Sequence, residues 1–368
     1  MGNFIEDHHT LIVIGYLLIF GILDAITGLY HNSKRTKDDW LIETISIAAI
    51  AILVKPGAAL LTLLVGKALL AEYHLHYQEI SIWISLPIFL LIDDLSQYWY
   101  HRSAHEYPFF WKLHRPHHAA PEMGIFVTYR EAFLYPVLIP SVWLMGICLY
   151  LGWAQAVAFG VVIKQLVLIS SHSNWKWDVQ LYRHKITRPI ILVLRRIIIT
   201  PAFHHAHHGL TAKDGVSNPH GNFGNLFSLW DQIFGTAMYT TEFPKIYGIE
   251  NDPKEGFAAN YFYPFFRTKN IKSELHKDFK KQSYAEAEPL NTTLEAGKYL
   301  YCTCGLSDQQ PFCNSSHNGT KHKPTFFTIE QTKKVSLCKC KLSKNPPYCD
   351  GSHKNLKIQK IENNVVAK

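Results

Sequence analysis

Long apolar stretches alternate with short polar ones over the first half of the chain and indicate a membrane-embedded protein. Apolar runs cover residues 11–30, 41–70, 80–100, 132–152 and 154–171. A helix needs roughly 20 apolar residues to cross a bilayer, and each run is close to that length or longer. We therefore expect an α-helical multi-pass membrane protein with about five spans, within a range of four to six.

Two apolar stretches depart from the simple pattern. The run 41–70 contains Lys55, Pro56 and Gly57, which allows one kinked span or two half-spans, and we favour one kinked span. The stretch 189–200 is too short to span and has Arg195 and Arg196 in its middle. It predicts an interfacial helix, or one packed against the spans.

The basic residues fall on one side of the expected membrane. With five spans, every loop Lys and Arg lies in residues 31–40, in residues 101–131 or after residue 172. The positive-inside rule makes this side cytoplasmic, in a bacterial inner membrane or the endoplasmic reticulum. The net charge of +8 then describes a basic aqueous side of a membrane protein, and we expect no nucleic-acid partner.

Nine histidines lie on this same side, with spacings that suit metal binding. Residues three and four apart share a helix face, so such clusters can aim two or three imidazoles at one point. Imidazole donors suit iron, copper or zinc. The nine are His101, His105, His114, His117, His118, His172, His204, His207 and His208.

This number of donors predicts a dinuclear centre. A catalytic zinc ion needs three protein ligands and an open position, which would leave most of these histidines unused. Two irons with four or five histidines each would use them all. Asp94, which precedes His101 on nearly the same helix face, is expected to accept an imidazole N–H. We predict no catalytic residue beyond the metal ligands.

Six of the seven cysteines lie near the C-terminus, in a repeat with a period of 36 residues. Residues 302–317 and 338–353 align without a gap as C-x-C-x2-S-x3-P-x-C-x-x-S-H. Three thiolates and one imidazole per repeat suit a zinc ion or a [2Fe–2S] cluster, and the spacing alone leaves both open. Cys148, in an apolar run, is expected to be a buried, inert thiol.

Composition divides the chain into three predicted parts. Residues 1–245 form a membrane domain with a helical histidine cap on its cytoplasmic side, and residues 246–297 form a polar cytoplasmic connector. Residues 298–368 form a small β-rich or irregular domain of tandem repeats. This last part has few apolar residues, so we expect it to need a metal to fold. Its two repeats suggest an internal pseudo-dimer.

The histidine segments resemble a known family over about residues 80–245. The pattern YWYHRSAHE…WKLHRPHH…SHSNW…TPAFHHAHHG…GNFGNLFSLWDQIFGT is similar to the fatty acid hydroxylase / sterol desaturase superfamily of membrane diiron oxygenases. The resemblance implies that the nine histidines ligate two irons, which use O2 to hydroxylate or desaturate a lipid or sterol. Some members carry a further ligand between the second and last boxes. The segment HSNWK lacks it here, which leaves His184 as a candidate.

The cysteine repeats resemble the CDGSH iron–sulfur family, since residues 349–353 read CDGSH. The resemblance implies two [2Fe–2S] clusters. In the first repeat, Asn314 and Ser315 replace the Asp-Gly of the family, so the turn before His317 departs from the pattern. The implied ligands are Cys302, Cys304, Cys313 and His317 for one cluster, and Cys338, Cys340, Cys349 and His353 for the other.

The two halves together predict a lipid or sterol oxidase whose diiron centre receives electrons from the C-terminal clusters. An upstream reductase or other donor would supply those electrons, because the reaction consumes two per turnover. The alternative is an iron–sulfur redox sensor or electron carrier that regulates the membrane domain or is anchored by it. The sequence assigns no oligomeric state.

Overall fold

The chain divides into two compact units, Met1–Lys277 and Asp278–Lys368. A computed structural model describes residues 2–31, 33–249, 252, 255–266, 288–303, 307, 309–313 and 323–353. The first unit is helical. Its helices are α1 Gly2–Ile26, α2 Lys37–Ala49, α3 Lys55–Leu69, α4 Ile82–Glu106, α5 Pro108–His118, α6 Leu134–Leu138, α7 Pro140–Leu151, α8 Ala154–His172, α9 Trp177–Arg183, α10 Arg188–Ile197, α11 Pro201–His208, α12 Leu229–Ile233 and α13 Phe257–Tyr261.

Three helical segments of the described chain are long and apolar enough to cross a membrane. They are Phe4–Ile26, Lys37–Leu69 and Ala154–His172. The second joins α2 to α3 through a π-helical segment, Ile50–Val54, directly before the Lys55-Pro56 step. A π turn lets a helix continue past a residue that cannot donate a backbone hydrogen bond. One continuous segment is therefore present, as predicted, and not two half-spans.

The predicted span 132–152 is wrong as a single helix. Its helices α6 and α7 are separated at Ile139, whose backbone is extended with φ −63° and ψ 121°, because a residue before proline avoids the helical region. Helix α7 has 12 residues, which reach about 18 Å at 1.5 Å per residue, short of a hydrocarbon core of about 30 Å. The total of five spans and their orientation stay predictions.

Helix α8 organises the helical unit. It packs against α1, α4, α7 and α11, and its last residue is His172. Gly160 lets α8 approach α4 closely, since a Cβ at this position would lie 2.4 Å from Cε1 of Phe89. The close packing brings the end of α8 to the histidines of its neighbours.

Buried polar side chains fasten the helix ends around the histidines. Asp24 of α1 accepts hydrogen bonds from the backbone N–H of Ile125 at 2.9 Å and from the hydroxyl of Ser173 at 2.8 Å. Arg130 donates to the carbonyl of Pro116 in α5 at 2.6 Å and pairs with Asp39 of α2 at 2.6 Å. Buried polar groups need such partners, so these contacts fix α5 and the end of α8 to the first two helices.

Helix α10 has the amphipathic character predicted for residues 189–200. Ile190 and Val193 are 65% and 62% exposed. On other sides of the helix, Arg195 and Arg196 lie over the Tyr239 ring at 5.4 and 4.0 Å. An exposed aliphatic stripe beside arginines is typical of a helix at a membrane interface.

The described part of the second unit contains four strands, and they pair between the two repeats. The strands are β1 Leu290–Leu294, β2 Gly297–Tyr301, β3 Thr325–Ile329 and β4 Lys333–Leu337. Strand β1 pairs antiparallel with β4, and β2 pairs antiparallel with β3. Each pair thus joins one strand that precedes the first repeat to one that precedes the second. Strand β1 lies within residues 246–297, which the sequence analysis assigned to the connector, and it pairs with β4 of the second unit.

Replacement of Gly160 by alanine is expected to destabilise the helical unit. The added methyl would meet Phe89, and overpacking a tight contact costs about 1–3 kcal/mol. Gly15→Ala in α1 is the matched control, because no heavy atom lies within 4 Å of a Cβ there and alanine favours helices. Thermal unfolding in detergent should show a lower midpoint for Gly160→Ala alone. Equal midpoints for the two variants would contradict the close packing of α4 and α8.

Candidate metal centre

Four helices bring the nine predicted histidines into one buried volume. Helix α4 carries two of them near its end, α5 and α11 carry three each, and His172 ends α8. None of the nine is more than 5% exposed. The i, i+3 and i+4 spacings thus place the imidazoles on shared faces, as predicted.

The nine imidazoles fall into two groups, in each of which the ligand atoms lie within 4.8 Å of one another. The five-histidine group consists of His101, His105, His114, His118 and His207. The four-histidine group consists of His117, His172, His204 and His208. Each group has enough donors for one ion, so the arrangement could hold two.

The separations between nitrogens fit donors that share an ion. The Nε2 atoms of His101 and His207 lie 3.0 Å apart, as do those of His172 and His204. Two nitrogens that bind one zinc-sized ion at about 2.1 Å and at right angles lie about 3.0 Å apart. Transition-metal ions of this size therefore fit the donor set by distance and by chemistry.

Two buried nitrogens support the same fit. The Nε2 atoms of His114 and His118 have no hydrogen-bond partner within the described part of the chain. A buried polar atom left unsatisfied costs about 1–3 kcal/mol. A metal ion at the centre of the five-histidine group would satisfy both atoms.

Backbone carbonyls hold several imidazoles in one orientation. The Nδ1–H of His101 donates to the carbonyl of Phe223 at 2.9 Å, and that of His207 donates to Gly221 at 2.7 Å. The Nδ1–H of His172 donates to the carbonyl of Leu168 at 2.8 Å. With the proton on Nδ1, the lone pair of Nε2 points into the group, which is the form that binds a metal.

Burial keeps these imidazoles uncharged. It lowers the pKa of His101 to about 4. Burial together with neighbouring imidazoles also lowers the pKa values of His118 and His207 well below the usual range. The side chains are therefore neutral at pH 7, so no proton has to leave them before a metal binds.

Glu131 is a buried carboxylate that the sequence analysis missed. It accepts a hydrogen bond from Nδ1 of His114 at 2.9 Å and lies 3.8 Å from Nδ1 of His117. His114 and His117 belong to different groups, so Glu131 touches both. Desolvation raises its pKa well above the usual range. The available signal was an acidic residue directly before a predicted span.

The predicted role of Asp94 is wrong. Its carboxylate accepts hydrogen bonds from the backbone N–H groups of Leu226 and Phe227, both at 2.8 Å, and from the Trp230 indole at 3.0 Å. No imidazole donates to it among the described contacts. Asp94 faces the segment 226–230 and fixes it to α4, a little beyond Phe223, whose carbonyl orients His101. It therefore acts on the site through the backbone.

Two other histidines, His205 and His184, lie outside both histidine groups. His205 is buried on α11 but donates or accepts at both ring nitrogens, with the Tyr247 hydroxyl at 2.8 Å and the Ser173 carbonyl at 3.1 Å. It is a structural residue, in agreement with its exclusion from the ligand set. His184, the candidate for an additional ligand, is exposed and belongs to neither group.

In the C-terminal unit, the ligands predicted for the second repeat form two close pairs. Sγ of Cys338 lies 3.5 Å from Sγ of Cys340, and Sγ of Cys349 lies 3.2 Å from Nδ1 of His353. Gly351, with φ +88°, makes the turn between the last two ligands. In the first repeat, Cys302 and Cys313 are described, whereas Cys304 and His317 lie outside the described residues.

Comparison with known proteins gives each unit a counterpart. Residues 86–236 match the family model "Fatty acid hydroxylase", and residues 321–354 match "Iron-binding zinc finger CDGSH type". The chain thus joins a fatty acid hydroxylase domain to a CDGSH-type domain, as the sequence motifs indicated. The second match covers the second cysteine repeat only.

Individual relatives are similar to one part of the chain or the other. Alkylglycerol monooxygenase of Xenopus tropicalis is 27% identical over 188 residues, which are 50% of this chain and 36% of that protein. Ornithine lipid hydroxylase of Rhizobium tropici is 26% identical over 200 residues, 53% of this chain and 55% of that protein. The chain therefore spans about a third to a half of the length of these relatives.

The C-terminal unit has its own relative. CDGSH iron-sulfur domain-containing protein 3, mitochondrial, of Mus musculus is 45% identical over 59 residues, which are 15% of this chain and 43% of that protein. The name of this relative refers to an iron–sulfur domain, and the matching family is described as iron-binding.

Neighbouring residues of α11 offer a sharp test of the metal centre. His204→Gln is expected to reduce bound metal, because His204 belongs to the four-histidine group and loss of one ligand commonly weakens a site by a factor of ten or more. His205→Gln is the matched control and should leave the metal content unchanged. Elemental analysis of the purified variants measures both, and equal losses in the two would contradict the grouping.

Proposed function

We propose that this protein oxidises a C–H bond of a lipid or sterol, by hydroxylation or desaturation, at two irons held by the nine histidines. The observation that carries the proposal is the division of the histidines into a group of five and a group of four. One zinc site would leave most of these buried donors unused. The reaction would take place at the cytoplasmic face of the membrane.

Iron supplies a chemistry that zinc does not. Two irons in a nitrogen-rich site would activate dioxygen with two added electrons, and dioxygen activated in this way can attack an unactivated C–H bond. For hydroxylation the balance is one O2, two electrons and two protons consumed, with one alcohol and one water formed. The names of two relatives, a monooxygenase and a lipid hydroxylase, agree with this class of reaction.

The protein's own residues would hold and shield the centre. The backbone carbonyls of Leu168, Gly221 and Phe223 orient three ligands, and Glu131 orients His114. The burial of all nine histidines excludes bulk water, which protects a reactive oxidant from side reactions. Helix α8, one of three apolar segments of spanning length, ends at His172, which supports a lipid-soluble substrate.

We further propose that the C-terminal unit supplies the electrons. Each repeat would hold one [2Fe–2S] cluster, and two one-electron clusters match the two electrons of the reaction. Support comes from the two close pairs of second-repeat ligands and from the iron-binding family match. An upstream reductase would reduce the clusters.

The experiment is turnover of the purified, iron-loaded full chain in lipid nanodiscs with a chemical reductant. We expect about six irons per chain, two at the histidines and two in each cluster, and incorporation of 18O from 18O2 if the product is an alcohol. Cys349→Ser should slow lipid oxidation by tenfold or more, because it removes a cluster ligand. Cys148→Ala is the control, since Cys148 is a buried thiol of α7.

Two results would contradict these proposals separately. Zinc in place of iron at the histidines, with no lipid product, would contradict the oxidase. Full turnover by Cys349→Ser would instead contradict electron supply by the clusters and favour a regulatory role for the C-terminal unit.

A further inference from the structure

The two cysteine repeats are related by a pseudo-twofold that is regular in the backbone. Cys302 N–H donates to the carbonyl of Pro311 at 2.9 Å, and Cys338 N–H donates to Pro347 at 2.8 Å. The strand pairs β1–β4 and β2–β3 obey the same relation. Positions that differ by 36 in number correspond in the sequence repeat, and any difference between their side chains breaks the symmetry.

One side-chain contact close to the cysteines breaks this pseudo-twofold symmetry. The Nζ of Lys341 lies over the ring of Tyr301, 4.1 Å from its centroid. Lys341 belongs to the second repeat and Tyr301 to the strand before the first. The equivalents of this pair are Gly305 and Leu337. A lysine and an aromatic ring thus stand on one side of the pseudo-twofold, where the sequence has glycine and leucine on the other.

The backbone of Lys341 is in a strained conformation. Its φ is +61°, a left-handed conformation in which a Cβ lies too close to the following carbonyl oxygen. Glycine adopts this conformation without strain, and glycine is the residue at the equivalent position 305. The second repeat therefore keeps a strained lysine where the chain has an unstrained alternative.

The ammonium group lies over a ring that packs against thiols of the second repeat. Lys341 directly follows Cys340, and its Nζ is buried. Tyr301 is 2% exposed and packs in one core with Cys338 and Cys340. A cation over an aromatic face is favourable, most of all when it is removed from water. The positive charge is thus held over a ring that packs against Cys338 and Cys340, two of the implied second-repeat ligands.

We propose that Lys341, held over Tyr301, makes the two clusters inequivalent by raising the reduction potential of the second-repeat cluster above that of the first. This inference rests on the proposed [2Fe–2S] clusters. Reduction adds one electron to a cluster, and a fixed buried cation nearby stabilises the more negative, reduced form. With both clusters in contact with a donor, the electron would reside on the second-repeat cluster first.

The test is a redox titration of the full iron-loaded chain in detergent, with dithionite as reductant and mediators, followed by visible absorption and electron paramagnetic resonance. Native protein should show two one-electron waves. His353→Cys identifies the second-repeat wave, because an additional thiolate makes that cluster more negative and moves its wave to lower potential.

Lys341→Gly should lower the reduction potential of the second-repeat cluster toward that of the first. We expect a tenfold change in the reduction equilibrium constant, which is about 59 mV for a one-electron couple. This variant relieves the backbone strain, so we expect it to fold. Lys341→Met, which keeps most of the side chain but no charge, should do the same. Lys344→Met is the matched control, since it removes an exposed positive charge from the same repeat and should leave both waves in place.

The outcomes separate this inference from the proposed function. A chain without a [2Fe–2S] spectrum would overturn both the cluster assignment and this inference. Clusters that form normally but titrate in a single wave, or two waves that Lys341→Gly and Lys341→Met do not move, would overturn this inference alone. An equal shift in Lys344→Met would show an effect of net charge and would also overturn it.

Discussion

Nine neutral imidazoles packed into one buried volume present more nitrogen lone pairs than their free N–H groups can satisfy. An imidazole has one N–H, and for His101, His172 and His207 that proton is already given to a backbone carbonyl. The remaining nitrogens of such rings face each other at about hydrogen-bond distance without a proton to share, as the 3.0 Å contact between Nε2 of His101 and Nε2 of His207 illustrates. Cations between the rings would resolve this conflict, and much of the surrounding structure serves to hold the rings in place.

The supporting contacts come from distant parts of the sequence. Asp24 on α1 fixes the residues after His172, and Arg130 joins α5 to α2. Asp94 fixes the segment that carries Phe223 and Leu226. Each of these groups is buried and fully engaged, which is the usual condition for a polar side chain inside a protein. The histidines thus stand in a frame built from the protein's own buried contacts.

The sequence predicted what depends on local spacing. Helical spacing selected His204, His207 and His208 and left out His205, whose ring contacts the Tyr247 hydroxyl and the Ser173 carbonyl. Repeat spacing likewise indicated a pseudo-dimer in the C-terminal unit. What the sequence could not predict depends on contacts between distant segments. The partner of Asp94 is 132 residues away, Glu131 reaches His114 through a loop, and β1 is recognisable as a strand only through its pairing with β4.

The central claim is that the histidines hold two irons, one in each group. The most direct measurement is anomalous diffraction, at the iron absorption edge, from crystals of the iron-loaded protein. The account predicts two peaks in the helical unit, one among His101, His105, His114, His118 and His207 and the other among His117, His172, His204 and His208. A single peak in this unit, or scattering that appears only at the zinc edge, would contradict it.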